Sequence, residues 1–557
     1  MAVISAPQHA HKGLVYVLPP KTWDTPQAMP CLLRSDEACI ISPMLTAKRH
    51  LPKHLLLSVL VAVLILSTGC PALPTLVPPK PAPTPTATPV PRPDWQEANT
   101  YRVAMLTTAA DDVTRIESPT FYYIRARVDF SGETPRVYVT QDTHFTNRAD
   151  VPLDAIYFRL FPNKPSYGSA LTFSEVTVGG HEAELDYQAD KTAVGVALPR
   201  PLPPGQPIDV HMEYTVTVPL ENVHGYGTFN YQDGILLLSN FYAMVAVYDS
   251  TGWNLSLAPD YGDPVYAETS FFTMELTVPQ GMVVVTSGST TAKRDNEDGT
   301  TTWTCLSGPM RDFMAVVSNR FESSSCAVGY IRLNSYYLPE HKQAGEEILN
   351  YARDGLRAYQ QSFGPYPFAE FDVVEAPIYA GGMEYPGLIM VAEQHYARSG
   401  EYFEFVAAHE VAHQWWYSLV GNDQVNVPWL DESLANFSTV YYYEHTYNRG
   451  RADMVFQNYV ESPYQQAKDE GHDGVVYQPV EAFSPEDYGA IVYGKGAVFF
   501  YKLRGELGDA IFLDVLRTYF QDRKYKLASP DDFLRVAEQV SGQELDDWYT
   551  KWILSAN

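Results

Sequence analysis

The sequence predicts a multidomain protein in which a β-rich region, residues 95–322, precedes an α/β to α-helical region, residues 323–557. Three observations carry that prediction. In the first region, apolar and polar residues alternate between Gly, Pro and Asn turns, which is the period of half-buried strands. From about residue 323, helical runs interleave with short apolar strands. About 460 residues follow a short N-terminal apolar run and a proline-rich stretch, enough for two or three domains.

Residues 1–43 read as an extension ahead of a better-placed start at Met44. Leu55–Leu66 is apolar except for Ser58 and follows Lys48, Arg49 and Lys53. That is the charge-then-apolar order of a signal peptide, and it is too short for a comfortable membrane span. It ends Leu66-Ser67-Thr68-Gly69-Cys70, which resembles a bacterial lipoprotein cleavage box with its leucine one position early. The expectation is a signal over 44–70, lipidated at Cys70 and anchored to a membrane; an ordinary secretory signal with an incidental cysteine is the alternative. Residues 71–94 form a linker: ten prolines fall within 71–93, a composition that extends as polyproline II and cannot pack a core. Lipid anchor, spacer and globular portion together suggest an extracytoplasmic, cell-surface protein.

In the β region, Tyr122–Val128, Ala155–Leu160 and Thr273–Val278 read as strands. Further on, His341–Phe363 reads as a helix broken by Gly364-Pro365-Tyr366-Pro367, and Phe371–Glu375 as a strand leading to a Gly-Gly loop. Leu388–Val391 reads as another strand, and the chain stays helical from residue 403 to Trp548. Of the 66 acidic residues 63 lie from residue 94 onward, against 31 of the 39 basic ones, a formal charge near −32 that argues against nucleic-acid binding. Cys305 and Cys326 could pair in an oxidising compartment or remain two thiols.

Chemistry concentrates at His409-Glu410-Val411-Ala412-His413, followed after eighteen residues by Glu432. Residues four apart on a helix project roughly 40° apart, so two imidazoles can reach one metal ion from one side. Glu410 can then address the water on the open metal position, and a distant carboxylate completes three protein ligands, the usual complement of catalytic zinc. The flanks, Phe403 to Ala408 and Trp415 to Val420, are apolar almost all round and predict a buried helix, in which unpartnered polar groups would cost several kcal/mol. The spacing points to zinc-dependent peptide hydrolysis with one Zn2+ per chain.

Two further runs carry a resemblance: Gly381-Gly382-Met383-Glu384-Tyr385 upstream and Tyr493-Gly494-Lys495-Gly496 downstream. With the zinc motif they resemble the zinc aminopeptidase family of the thermolysin-like gluzincins, which reads G-x-M-E-N, H-E-x-x-H, a later Glu and Y-x-K-G in that order. Here Tyr385 stands where the family has Asn, and Asp431 and Ser433 flank the third ligand where many relatives carry Asn and Gly. The resemblance implies an N-terminal antiparallel β-saddle domain, with Leu160–Asn163 and Gly262-Asp263-Pro264 among its marks. It also implies a thermolysin-like catalytic domain; larger relatives continue with a long α-helical C-terminal domain, and the expectation for this chain is no such α-solenoid. His409, His413 and Glu432 would hold zinc, Glu410 would be the general base, and Tyr493 would steady the oxyanion. Glu384 would capture the substrate α-ammonium beside Gly381, Gly382 and Met383, and Tyr488 would be a second active-site tyrosine. Asp431 would orient a ligand or cap a helix. Peptides are the implied substrates; an endopeptidase or epoxide-hydrolysing activity, or a non-catalytic surface-binding role, are the alternatives.

Overall fold

A computed structural model describes residues 94–221 and 224–556. The signal-like run, Cys70 and the proline-rich stretch lie outside the described residues.

The alternating segments form an eight-stranded sheet in the order Ser289–Asp295, Thr300–Leu306, Ser270–Pro279, Thr120–Asp129, Arg136–Thr146, Pro207–Thr217, Ala170–Val178, His181–Glu182. Neighbours are antiparallel except at the centre, where Thr120–Asp129 runs parallel to Ser270–Pro279. A parallel pair requires a long connection. The chain between those strands supplies it by contributing to two four-stranded sheets, one around Leu153–Arg159 and Ala193–Leu202, the other around Ile235–Leu238 and Ala315–Ser318. The central strand Ser270–Pro279 buries one face throughout, with Phe272, Met274, Leu276 and Val278, and the other face at its start, with Phe271.

A five-stranded sheet follows, ordered Glu322–Val328, Ile331–Tyr337, Glu370–Ala376, Leu388–Ala392, Gly382–Met383. Its middle strands are parallel and its outer pairs antiparallel. Helix α1 (Lys342–Ser362) connects the second and third strands and stops just before Gly364-Pro365. Helix α2 (Glu401–Ala412) carries the zinc motif, and every residue from Phe403 to Ala412 is buried. Tyr359 of α1 donates its hydroxyl to the Ala408 carbonyl at 2.9 Å, fixing α2 against α1. Helix α3 (Trp429–Thr446) brings Glu432 in its first turn. Helices continue to Asp546–Trp552, and among the described residues none is long and apolar enough to cross a membrane.

The helix around the motif is shorter than its apolar flanks suggest. It ends at Ala412, and the chain reverses through Tyr417, whose φ is 116°. The cause lies far away in sequence. The buried Arg311 guanidinium donates to the carbonyls of Tyr417 at 2.8 Å, Ala267 at 3.1 Å and Lys526 at 2.6 Å. Of these, the Tyr417 carbonyl lies in the reversal itself, and the bonds to Ala267 and Lys526 tie that turn to distant parts of the chain. Cys305 and Cys326 are not joined: they stand on strands of different sheets, and Cys305 is fully buried.

Candidate metal centre and active site

Because α2 ends at Ala412, His409 lies in its last turn and His413 at its C-cap, while Glu432 enters from α3. His409 Nε2 lies 3.0 Å from His413 Nε2 and 3.2 Å from Glu432 Oε2, and His413 Nε2 lies 3.3 Å from that same oxygen. A tetrahedral zinc with bonds of about 2.0–2.1 Å has donor–donor edges of about 3.3 Å, so the three atoms sit at the separations one ion requires. The tautomer agrees. His413 Nδ1 donates to the Trp416 carbonyl at 2.9 Å, which leaves the lone pair of a neutral ring on Nε2 facing the other two donors. With no cation present, burial would raise the Glu432 carboxyl, but the charge of a protonated His413 and hydrogen bonds from both rings outweigh it and hold the group below its ordinary range; a metal cation held between neutral rings would act in the same sense.

Glu410 is buried, and its Oε2 has no protein partner. Burial, reinforced by the Glu384 charge, raises its pKa well above the ordinary value, the direction a general base working near neutrality needs. Strand Gly382–Met383 passes directly over it: a Cβ on Gly382 would fall 2.3 Å from Glu410 Oε1. Gly381 uses its carbonyl to accept from Ala392 N at 3.0 Å, and Met383 is buried.

Glu384, 5% exposed, accepts from Gln424 Nε2 at 2.8 Å. Burial pushes its pKa up, and neighbouring Glu432 adds to the shift while His413 opposes it. Carboxylate oxygens of Glu384, Glu432 and Asp263 lie within 4.8 Å of one another, as do donor atoms of Glu384, His413 and Asp431. Asp431 neither bonds a ligand histidine nor caps a helix. It accepts from Asn422 and from Gln424, each at 2.9 Å, and through Gln424 it steadies Glu384. Its carboxyl is pushed to about 7 by burial and by Glu432.

Tyr385, the family asparagine's replacement, turns into an apolar cluster with its hydroxyl 2.5 Å from Ser239 Oγ. The loop around it is tied instead by Gln414, which donates to the Tyr385 carbonyl at 3.1 Å and accepts from Gly387 N at 2.9 Å. Tyr493 donates its hydroxyl to Glu432 Oε1 at 2.6 Å. Tyr488 packs 5.6 Å from the Tyr493 ring, and its buried hydroxyl has no partner. Both tyrosines come from the turn Pro485–Lys495, whose second part, Gly489–Lys495, is π-helical, a widening often found at functional sites.

Sequence reasoning assigned no site role to Asp263, Gln414 or Gln424. Asp263 lay in a run noted only as a mark of the β region. Gln414 adjoins the zinc motif and could have been noticed there, but Gln424 carries no pattern of its own.

The scan against family models matches the Peptidase family M1 domain over residues 348–552. Among curated relatives, aminopeptidase N of Lactococcus lactis subsp. lactis is 31% identical over 189 residues, which is 31% of this chain and 22% of that protein. Aminopeptidase N of Streptomyces lividans is 24% identical over 314 residues, 51% of this chain and 35% of that protein. The matches thus span about a quarter to a third of these relatives' length. Among solved structures, the M1 zinc metallopeptidase from Deinococcus radiodurans matches with a TM-score of 0.57 at 21% identity, covering 78% of this chain and 93% of that one. That likeness extends through the β region and shows the fold. The span that matches the family M1 model, residues 348–552, carries His409, His413 and Glu432.

Proposed function

We propose that the protein is a zinc-dependent aminopeptidase that removes the N-terminal residue of peptides. The observation that carries this reading is the convergence of His409, His413 and Glu432 at metal-ligand separations, with the buried Glu384 beside them. A zinc ion held there would polarise the scissile carbonyl and lower the pKa of a bound water toward neutrality. Glu410 takes the proton of the attacking water and returns it to the leaving nitrogen. Tyr493, released from Glu432, gives its hydroxyl to the developing oxyanion. Glu384 receives the substrate's α-ammonium, whose charge offsets the crowding of carboxylates around it; Gly382 leaves room for the peptide backbone beside Glu410. An M1 zinc metallopeptidase structure with a Tyr-Ser-Ala substrate is consistent with peptides as the substrate class.

Turnover of aminoacyl-coumarins that is abolished by chelator and restored by zinc is the expected result. N-acetylated analogues should be inert; cleavage of blocked peptides alone would replace this reading with the endopeptidase one.

We place the functional division near 322/323, where strand Glu322–Val328 opens the five-stranded sheet. The signal-like run and the Gly69-Cys70 box support an enzyme lipidated at Cys70 and tethered outside the cytoplasm by the proline-rich stretch. Palmitate labelling in a bacterial host that is lost in Cys70→Ser is the expected result, and labelling that persists in that variant would remove the anchor from this account.

A further inference from the structure

The segment Gly381–Glu384 runs alongside α2 in the same direction, turn for turn. Glu384 stands at the C-terminal end of α2, with a carboxylate oxygen within 4.8 Å of a His413 nitrogen. Gly382 passes over Glu410. A Cβ on Gly381 would fall 3.4 Å from Val406 Cγ2 and 3.8 Å from the Tyr402 hydroxyl. Tyr402, Val406 and Glu410 repeat at intervals of four and His413 follows three later, so all four lie on one stripe of the helix. The two ends of this track fix a direction. With the α-ammonium at Glu384 and the reacting carbonyl beside Glu410, the rest of a peptide leaves past Gly381, over the first two turns of α2.

That exit is aromatic. Tyr402 is 48% exposed, and its ring lies within 8° of parallel to that of Phe405, with centroids 6.2 Å apart. Tyr459, on the π-helical turn Gln457–Glu461, brings its ring to 5.0 Å from Phe405 and 5.8 Å from Tyr402. Phe405 precedes the zinc ligand His409 by one turn, so the three rings begin next to the metal centre and reach solvent at Tyr402. Charges on the same turns are engaged elsewhere. Glu404 accepts from the hydroxyls of Tyr442 and Tyr447 at 2.8 and 2.7 Å, and Glu401 pairs with Arg451. An uncharged surface of three rings favours a fourth, because ring–ring contacts add to what burial of area alone supplies.

We propose that Tyr402, Phe405 and Tyr459 form a shelf for the residue that follows the cleaved bond, and that they select peptides whose second residue is aromatic. The proposal rests on the aminopeptidase reading and deepens it to a substrate class, defined by the part of the peptide that leaves and not by the residue removed. The register fits. Five residues at about 1.5 Å each place Phe405 about 7.5 Å from Glu410 along the helix axis. That is about two residues of extended peptide, within reach of the second residue and its side chain.

The test keeps the first residue constant and compares kcat/KM for alanyl-phenylalanine amide, alanyl-cyclohexylalanine amide and alanyl-glycine amide. Phenylalanine is expected to lead glycine by about ten-fold or more. It is expected to lead cyclohexylalanine, which has the bulk without the π face, by about two- to ten-fold. Tyr402→Ala is expected to shrink the lead over glycine by about three-fold or more, and Tyr402→Phe to keep it. Because each lead is a ratio of two substrates on one variant, a loss of folded enzyme does not alter it. No lead over glycine, cyclohexylalanine turned over as well as phenylalanine, or an unchanged lead in Tyr402→Ala would overturn the proposal. Should Tyr402→Ala not fold, Tyr459→Ala, on a different turn of the chain, is read in the same way. Failure to cleave all three amides would instead count against the aminopeptidase reading. Acetylated peptides would then judge the shelf: cuts must fall ahead of phenylalanine in preference to glycine, and an even spread refutes it.

Discussion

Glu410 occupies its position only because residue 382 has no side chain. The Cβ of an alanine there would fall 2.3 Å from the carboxylate and 2.5 Å from its Cγ, so either the strand or the base must move. Small displacements of a positioned base cost about 10²-fold in rate. Gly382→Ala is therefore expected to lose on the order of 10–10² in kcat, with zinc content unchanged by metal analysis; full activity would show that the strand does not press on the base. Glu410→Gln removes the proton acceptor itself and is expected to lose about 10²–10⁴ in kcat, again with zinc retained. Asp312 gives a prediction of the opposite kind. Burial pushes its carboxyl to about 7, above the value of about 3.9 in an unfolded chain. The folded state thus holds the proton more tightly, and stability falls as pH rises from about 4 to 7. Asp312→Asn should be more stable than the parent at pH 8 by about 1–4 kcal/mol and nearly equal to it at pH 4–5. Urea unfolding at the two pH values checks this, and no gap at pH 8 would contradict it.

The same separation between local and distant causes recurs among elements. The zinc motif and α1 were legible because their signals are local: i, i+4 spacing, a Gly-Pro stop and an apolar run; Glu432 has no such local signal and was named from its distance after His413 and the family resemblance. Strands Thr120–Asp129, Leu153–Arg159 and Ser270–Pro279 were legible from alternation, which records burial on each face. Their partners were not, since pairing Thr120–Asp129 in parallel with Ser270–Pro279 is set by the whole intervening chain. The end of α2 was misread because aromatic residues after His413 suit a helix equally well, and the contacts that hold the reversal, the Arg311 guanidinium and the backbone of Tyr525 and Lys526 among them, come from distant parts of the chain. The π-helical turn holding Tyr493 was likewise hidden. One anchor of that turn is Lys495, whose buried ammonium donates to Asp473 at 2.8 Å and to the carbonyls of Gly474 and Ser555, each at 2.7 Å. Lys495→Met leaves Asp473 and two carbonyls without this donor. It should cost about 3–5 kcal/mol of stability and lower kcat more than it raises KM, because Tyr493 would lose its fixed aim. A stable variant with unaltered kcat would show that the turn holds its shape without the lysine.

For the whole molecule, the decisive fact is that both regions share one interior. The apolar cluster runs from Tyr101 to Ile553 without a gap at the 322/323 boundary, and Arg311, from the β region, bonds carbonyls on both sides of it. Asp112, near the start of the described chain, takes the Lys524 ammonium at 2.7 Å and the Tyr525 hydroxyl at 3.1 Å. A boundary crossed by this much buried contact cannot open independently, so heat should unfold residues 94–557 in a single transition. At the centre of that shared interior, Glu384, Asp263, Asp431 and Glu432 crowd together around two imidazoles. A divalent cation bound only to the folded state stabilises it by about 4 kcal/mol at a thousand-fold excess over its Kd. Stripping with chelator should therefore lower the melting temperature of the whole protein, with zinc restoring it, rather than melting residues 323–557 alone. Scanning calorimetry separates the two outcomes. Two resolved transitions, only one of them sensitive to chelator, would mean that the β region folds on its own and merely leans against the metal centre.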